Sequence, residues 1–167
     1  MMQLNYLKSA ALISVTAAAT MLVIHGCGGG SAAIAQSAAD TDPIEGLWES
    51  SITLTDCANN AVLRTAKGIG LFHRGGSLTA DNTLPRVTQS LALGNWKRDA
   101  ALAYTVNFRF YRFNADSSLA GSQRVQRAIT LAADSKSFTG TITAQVIDPA
   151  EVVLQSTCGR ETAVRIY

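Results

Sequence analysis

Three observations predict an all-β fold, a single antiparallel up-and-down barrel of about eight strands. Apolar residues recur with a period of two from Trp48 onward, turn signals interrupt them at regular intervals, and two cysteines stand near the ends of the patterned region. Such alternation gives each strand one dry and one wet face, as in an antiparallel sheet. Seven turn signals imply eight strands. A sheet that long leaves edges that pair with other chains, and closure removes them.

The chain opens on a segment of another kind. Lys8 is the one charge in residues 1–24, and the run AALISVTAAATMLVI, 10–24, has none. That run suits the apolar core of a signal peptide and falls short of the ~20 residues a spanning helix needs. Two cleavage sites follow. Ala33-Ile34-Ala35 is an A-x-A site that would release the protein after Ala35. Ile24-His25-Gly26-Cys27 resembles a bacterial lipobox, whose cysteine is acylated and becomes the new N-terminus. Lipidation of Cys27 is the preferred reading. Residues 1–26 are then a lipoprotein-type signal peptide, 27–43 a flexible linker rich in Gly, Ala and Ser, and 44–167 the barrel domain. The expected location is a membrane facing the periplasm or the cell surface, with release after Ala35 as the alternative.

Either cleavage consumes or removes Cys27 and leaves an even pair, Cys57 and Cys158, about 100 residues apart. A bridge closing that loop stabilises a fold by up to about 4–5 kcal/mol on the chain-entropy model. A redox or metal role is disfavoured, because there is no C-x-x-C and the one domain histidine is His73. Up-and-down closure sets the first and last strands side by side, where these cysteines stand.

The strands read off in order. Trp48, Ser50, Ile52 and Leu54 share a face, as do Tyr104, Val106, Phe108 and Phe110. Val125, Ile129 and Leu131 form another such set, followed by Phe138, Ile142, Ala144 and Val146. At the end, Val164 and Ile166 alternate with Ala163 and Arg165. Turn signals fall at 56–60, 73–76, 80–85, 97–100, 114–118, 133–137 and 148–151, rich in Gly, Asp, Asn and Ser.

Gly46-Leu47-Trp48, just before the first strand, resembles the G-x-W opening of the lipocalin and wider calycin barrels. The resemblance implies that Trp48 closes the barrel floor and that a late basic residue, Arg160 or Arg165, packs over it by cation–π stacking. GLW at 46–48, FHRGGSLT at 72–79, GNW at 94–96, YRFNADSSLAGSQRV at 111–125 and SFTGT at 137–141 resemble a group of small secreted bacterial barrels described as lipocalin-like. That resemblance spans nearly all of residues 44–167 and implies a fold without an activity.

Trp48, Trp96, Phe108 and Phe110 are the candidates to line a cavity. An eight-stranded barrel is wide enough either to fill with its own side chains or to hold one small ligand. The large aromatics favour filling, while Gly68, Gly70 and Gly140 leave room. Arg127 shares strand parity with Val125, Ile129 and Leu131, which puts a guanidinium on the apolar face. Buried alone it is costly, so it needs Asp56 or Asp148 as an internal partner, or a ligand carboxylate. Arg109 and Arg112, in NFRFYRF at 107–113, are expected in solvent on one barrel strand that slips phase at Phe110-Tyr111.

The net charge of +2, with 16% charged residues and no basic run, gives no footprint for nucleic acid. No acid/base pair, nucleophile elbow or metal set can be assembled, and His73 in its turn has no visible partner. The expectation is a non-enzymatic protein without cofactor or metal. It is exported, lipid-anchored through Cys27, and binds a small apolar or amphipathic ligand. The alternative is an envelope structural or protein-interaction lipoprotein with a filled barrel.

Overall fold

Strand order follows chain order all the way round. The strands are β1 (Gly46–Thr55), β2 (Val62–Phe72), β3 (Ser77–Asn82), β4 (Ala92–Ala100), β5 (Ala103–Phe113), β6 (Leu119–Leu131), β7 (Ser137–Ile147) and β8 (Val153–Arg165). Each pairs antiparallel with the next, and β8 returns to β1 from Trp48↔Arg165 to Thr55↔Cys158, closing the barrel. A 3₁₀ turn, Arg86–Thr88, is the one helical element among the described residues. The computed structural model describes residues 41–167. The expected signal peptide 1–26, Cys27 and most of the linker 27–43 lie outside them. The closed eight-stranded antiparallel barrel is the predicted fold, and it fits a calycin-like architecture.

Up-and-down topology gives the barrel two distinct ends. One carries the turns at 73–76, 101–102 and 132–136; the other carries those at 56–61, 114–118 and 148–152 and the longer connection 83–91. The first end is the floor. Trp48 is wholly buried there, its ring 4.9 Å from Phe138, while Phe72 lies 6.3 Å from Trp96 and Trp96 lies 6.0 Å from Tyr104. Tilted and edge-on aromatic pairs of this kind add to the area they bury. The Trp48 indole donates to the carbonyl of Ile44 at 2.8 Å, so its one polar atom is satisfied.

Arg165, and not Arg160, takes the stacking position. Its guanidinium carbon sits 4.3 Å from the Trp48 ring centroid, and its nitrogens donate to the carbonyls of Ser135, Glu45 and Pro43. Gly46 adopts φ +124°, and a Cβ there would come within 2.6 Å of the Arg165 guanidinium. The glycine of the G-x-W signature is therefore required twice, by conformation and by space. Ordered contacts begin before the expected boundary at Ile44. Asp42 accepts from Tyr104 at 2.8 Å and pairs with Arg98 at 2.9 Å, and Thr41 accepts from Arg74 at 3.1 Å. Asp42 thus belongs to the fold rather than to a linker.

The Cys57–Cys158 bridge is present, with the Cα atoms 4.9 Å apart, well inside the span a disulfide requires. It joins the β1–β2 turn to β8 at the end opposite the floor.

The phase of β8 differs from the sequence reading. Val164 is 57% exposed and Ala163 is buried, so the inward face of β8 is Glu161, Ala163 and Arg165. The register Trp48↔Arg165 and Ser50↔Ala163 sets this phase, overriding the apolar character of Val164. In β7 Val146 keeps the inward parity of Ile142 and Ala144 as read from the sequence, and a register shift between Val146 and Ile147 buries Ile147 as well.

Candidate functional site

The inward positions change character from floor to mouth. Above the aromatic floor, Ile52, Leu54, Ala80, Ala92, Phe108 and Phe110 surround an inner chamber of about 60 Å³, with Arg127 also on its wall. The small side chains Ala80 and Ala92 on β3 and β4 leave the space. Leu84, from the 83–91 connection, lies over it. That connection is tied down where Gln89 bridges to Arg112 and donates to Asn82 at 3.0 Å.

Phe108, Phe110 and Arg127 of the expected lining therefore do face a cavity. Trp48 and Trp96 do not: both pack into the floor, and the Trp96 indole donates to the His73 carbonyl at 3.1 Å. His73 itself sits 3.0 Å from the Thr79 hydroxyl.

Arg127 has an internal partner that the sequence reading did not name. Its Nη1 lies 3.1 Å from a carboxylate oxygen of Glu161, and its guanidinium stacks 4.6 Å from the Phe108 centroid. Asp56 and Asp148 are occupied elsewhere. Asp56 accepts from the backbone of Ala58 and Asn59, and Asp148 from Ala150 and Val152, each holding its own turn. Glu161 was legible from the G-x-W resemblance: if Arg165 covers Trp48, residue 161 shares its inward parity.

The pair is expensive to bury. Neither Glu161 oxygen nor Arg127 Nε finds an aligned hydrogen-bond partner, so the contact is electrostatic in the main. Burial pushes the Glu161 carboxyl above its ordinary range, against the pull of Arg127 and Ser50 toward the charged form. Gly140 makes room for it, since a Cβ there would lie 3.0 Å from a Glu161 carboxylate oxygen.

Beyond the chamber the lumen widens into a vestibule of about 280 Å³ at the mouth. Arg64, Arg112, Gln123, Gln155 and Thr157 line it with Leu54 and Leu63. Leu54, Arg64 and Gln123 border both spaces, so the two are neighbours. Arg112 corrects the expectation of an arginine in solvent. It continues the inward parity of Phe108 and Phe110 and is half-buried, whereas Arg109 points out. Around the rim, Val62, Leu63, Val87, Leu119, Val152 and Val153 are exposed, Val87 by 76%.

A larger concavity, about 490 Å³, is an open furrow on the outer face of β4–β7. Its two arginines, Arg109 and Arg124, share the one carboxylate of Glu151, and what charge remains lies on an open outer surface with no enclosing walls. The interior is the better candidate.

No family model matches the chain, and no curated protein matches it. A solved structure, that of EF1p2_mFAP2b bound to DFHBI, aligns with a TM-score of 0.49 at 14% identity, covering 74% of this chain and 94% of that one.

Proposed function

We propose that the protein binds a small amphipathic ligand in its lumen and carries out no chemistry on it. The observation behind this reading is the junction of an apolar chamber with a polar vestibule, both lined by inward-facing residues of one barrel. Drug-sized ligands occupy roughly 300–1,000 Å³. The chamber takes only one apolar end of such a molecule, and the rest lies in the vestibule. In this reading the chain is kin to the lipocalin-like secreted barrels, and it is exported and anchored through an acylated Cys27. A native mass spectrum from the host organism tests the anchor: a mass fitting acylated Cys27 supports it, and a chain starting at Gln36 removes it.

Binding is tested with an uncharged probe, N-phenyl-1-naphthylamine. Its fluorescence should rise in the presence of the protein and stay at the buffer level with Phe108→Arg, which adds a further cation to the chamber beside Arg127 and Arg64. No enhancement with the unmodified protein sinks the reading. The exposed apolar rim favours a second role, docking of an envelope partner on a filled barrel. That role predicts a specific crosslinked partner and no response from the probe.

A further inference from the structure

The inward-facing charges do not balance. Arg64, Arg112 and Arg127 all lie on the lumen side; among the described residues Glu161 is the one carboxylate paired with any of them, and Asp81, which also borders the chamber, is taken by Arg86. Arg127 and Glu161 answer each other. Arg64 and Arg112 make no ion pair among the described residues.

The carboxylates nearest the mouth are committed elsewhere. Asp81 pairs with Arg86, and Glu151 with Arg109 and Arg124. Asp116 accepts from Ser118, while Asp56 and Asp148 accept from their own turns. Between the two free guanidinium groups the vestibule offers Gln123, Gln155 and Thr157, which add hydrogen-bond donors and no negative charge. A cationic, donor-rich collar above an apolar chamber is a device for one negative group on an apolar chain.

We infer that the ligand is an anionic amphiphile, its chain end in the chamber beside Phe108 and Phe110 and its carboxylate, sulfate or phosphate held in the vestibule by Arg64 and Arg112. The inference rests on the binding reading above and moves the anion site outward from Arg127, whose charge is internally matched. Because Arg64 is exposed and Arg112 half-buried, the attraction weakens with ionic strength. A free amphiphile and a membrane lipid share this chemistry, and the experiment separates the two sources.

The test titrates the protein with three chain-matched detergents below their micellar thresholds: decyl sulfate, decyl maltoside and decyltrimethylammonium. Decyl sulfate should bind at least about tenfold more tightly than either of the others, a difference near 1.4 kcal/mol. The double variant Arg64→Gln/Arg112→Gln should lose that preference. Its far-ultraviolet circular dichroism spectrum and urea midpoint should match those of the parent, which shows that it is folded. Equal affinity for the three detergents, with the neutral probe still bound, overturns the anion site and leaves the binding reading standing. No binding of probe or detergent overturns both. A parallel flotation assay uses phosphatidylglycerol and phosphatidylcholine vesicles. Flotation with the former only, abolished by the double variant, supports the anion site with a membrane lipid as its source. Binding of monomeric decyl sulfate without flotation supports a free one.

Discussion

The two ends of this barrel are built from the same inward positions and put to opposite uses. At the floor every polar atom has a local answer: the Trp48 indole finds the Ile44 carbonyl, and three backbone carbonyls take up the Arg165 guanidinium. At the mouth, inward-facing Arg64 and Arg112 have no ion-pair partner, and the rim leaves large apolar side chains in water. The lesson is that a satisfied end supplies stability, while an unsatisfied end is where the proposed recognition would take place. Between them sits the Arg127–Glu161 pair, paired yet incompletely hydrogen-bonded.

The comparison can be broken most directly by truncating one aromatic at each end. Trp48→Ala should lower the unfolding free energy by about 5 kcal/mol, because its cavity cannot collapse among locked neighbours. Phe110→Ala, beside an existing space, should cost about 3 kcal/mol. Urea denaturation measures both, and equal losses would erase the distinction. Next in size is the central pair. Arg127→Met should cost about 3 kcal/mol by leaving Glu161 buried alone, while Arg127→Met/Glu161→Leu should recover most of it. If the double variant is no more stable than the single one, the pair is more than an offset charge. Arg165→Met, which removes the stacking over Trp48 and the donors to the floor carbonyls, should cost about 2 kcal/mol.

The smallest effect sharpens the comparison through pH. Burial works to raise the Asp42 carboxyl, but hydrogen bonds from Ile44, Arg98 and Tyr104 hold it below its ordinary 3.8. Its stabilisation is complete above that value and is lost as pH falls through the lower folded one. Glu161 has the opposite sign. Its folded value lies above 4.5, so it favours the fold below 4.5 and weighs against it as pH climbs through the folded value. Asp42→Asn should therefore flatten the acid limb of a stability–pH curve, and Glu161→Gln should flatten the next. Parallel curves for both variants and the parent would show that neither carboxyl carries the linkage.

Most of the architecture was legible because period-two alternation and turn chemistry are local, and eight strands follow from counting them. The disulfide followed from parity, and a late basic residue over Trp48, Arg160 or Arg165, from the G-x-W resemblance. The inward phase of β8 was not legible from hydrophobicity. Val164 offers an apolar side chain to solvent while Ala163 supplies the core, and cross-strand register decides between them. With that phase misread, Glu161 went unnoticed and Arg127 was assigned partners in the turns. Arg112 was hidden for a related reason: in NFRFYRF both faces of β5 carry arginine, so charge alone does not say which one turns inward.

Thr41 and Asp42 are fastened at the floor, through Arg74, Arg98 and Tyr104. The described chain therefore enters the barrel at its base, with Thr41 and Asp42 as the stem of the cup. Tension applied through that stem would fall first on the Asp42 cluster and the Trp48 plug. The rim carries its own clamp in Cys57–Cys158, at the far end from the stem. A pull on the stem is thus borne by one fastening and the shape of the opening by another.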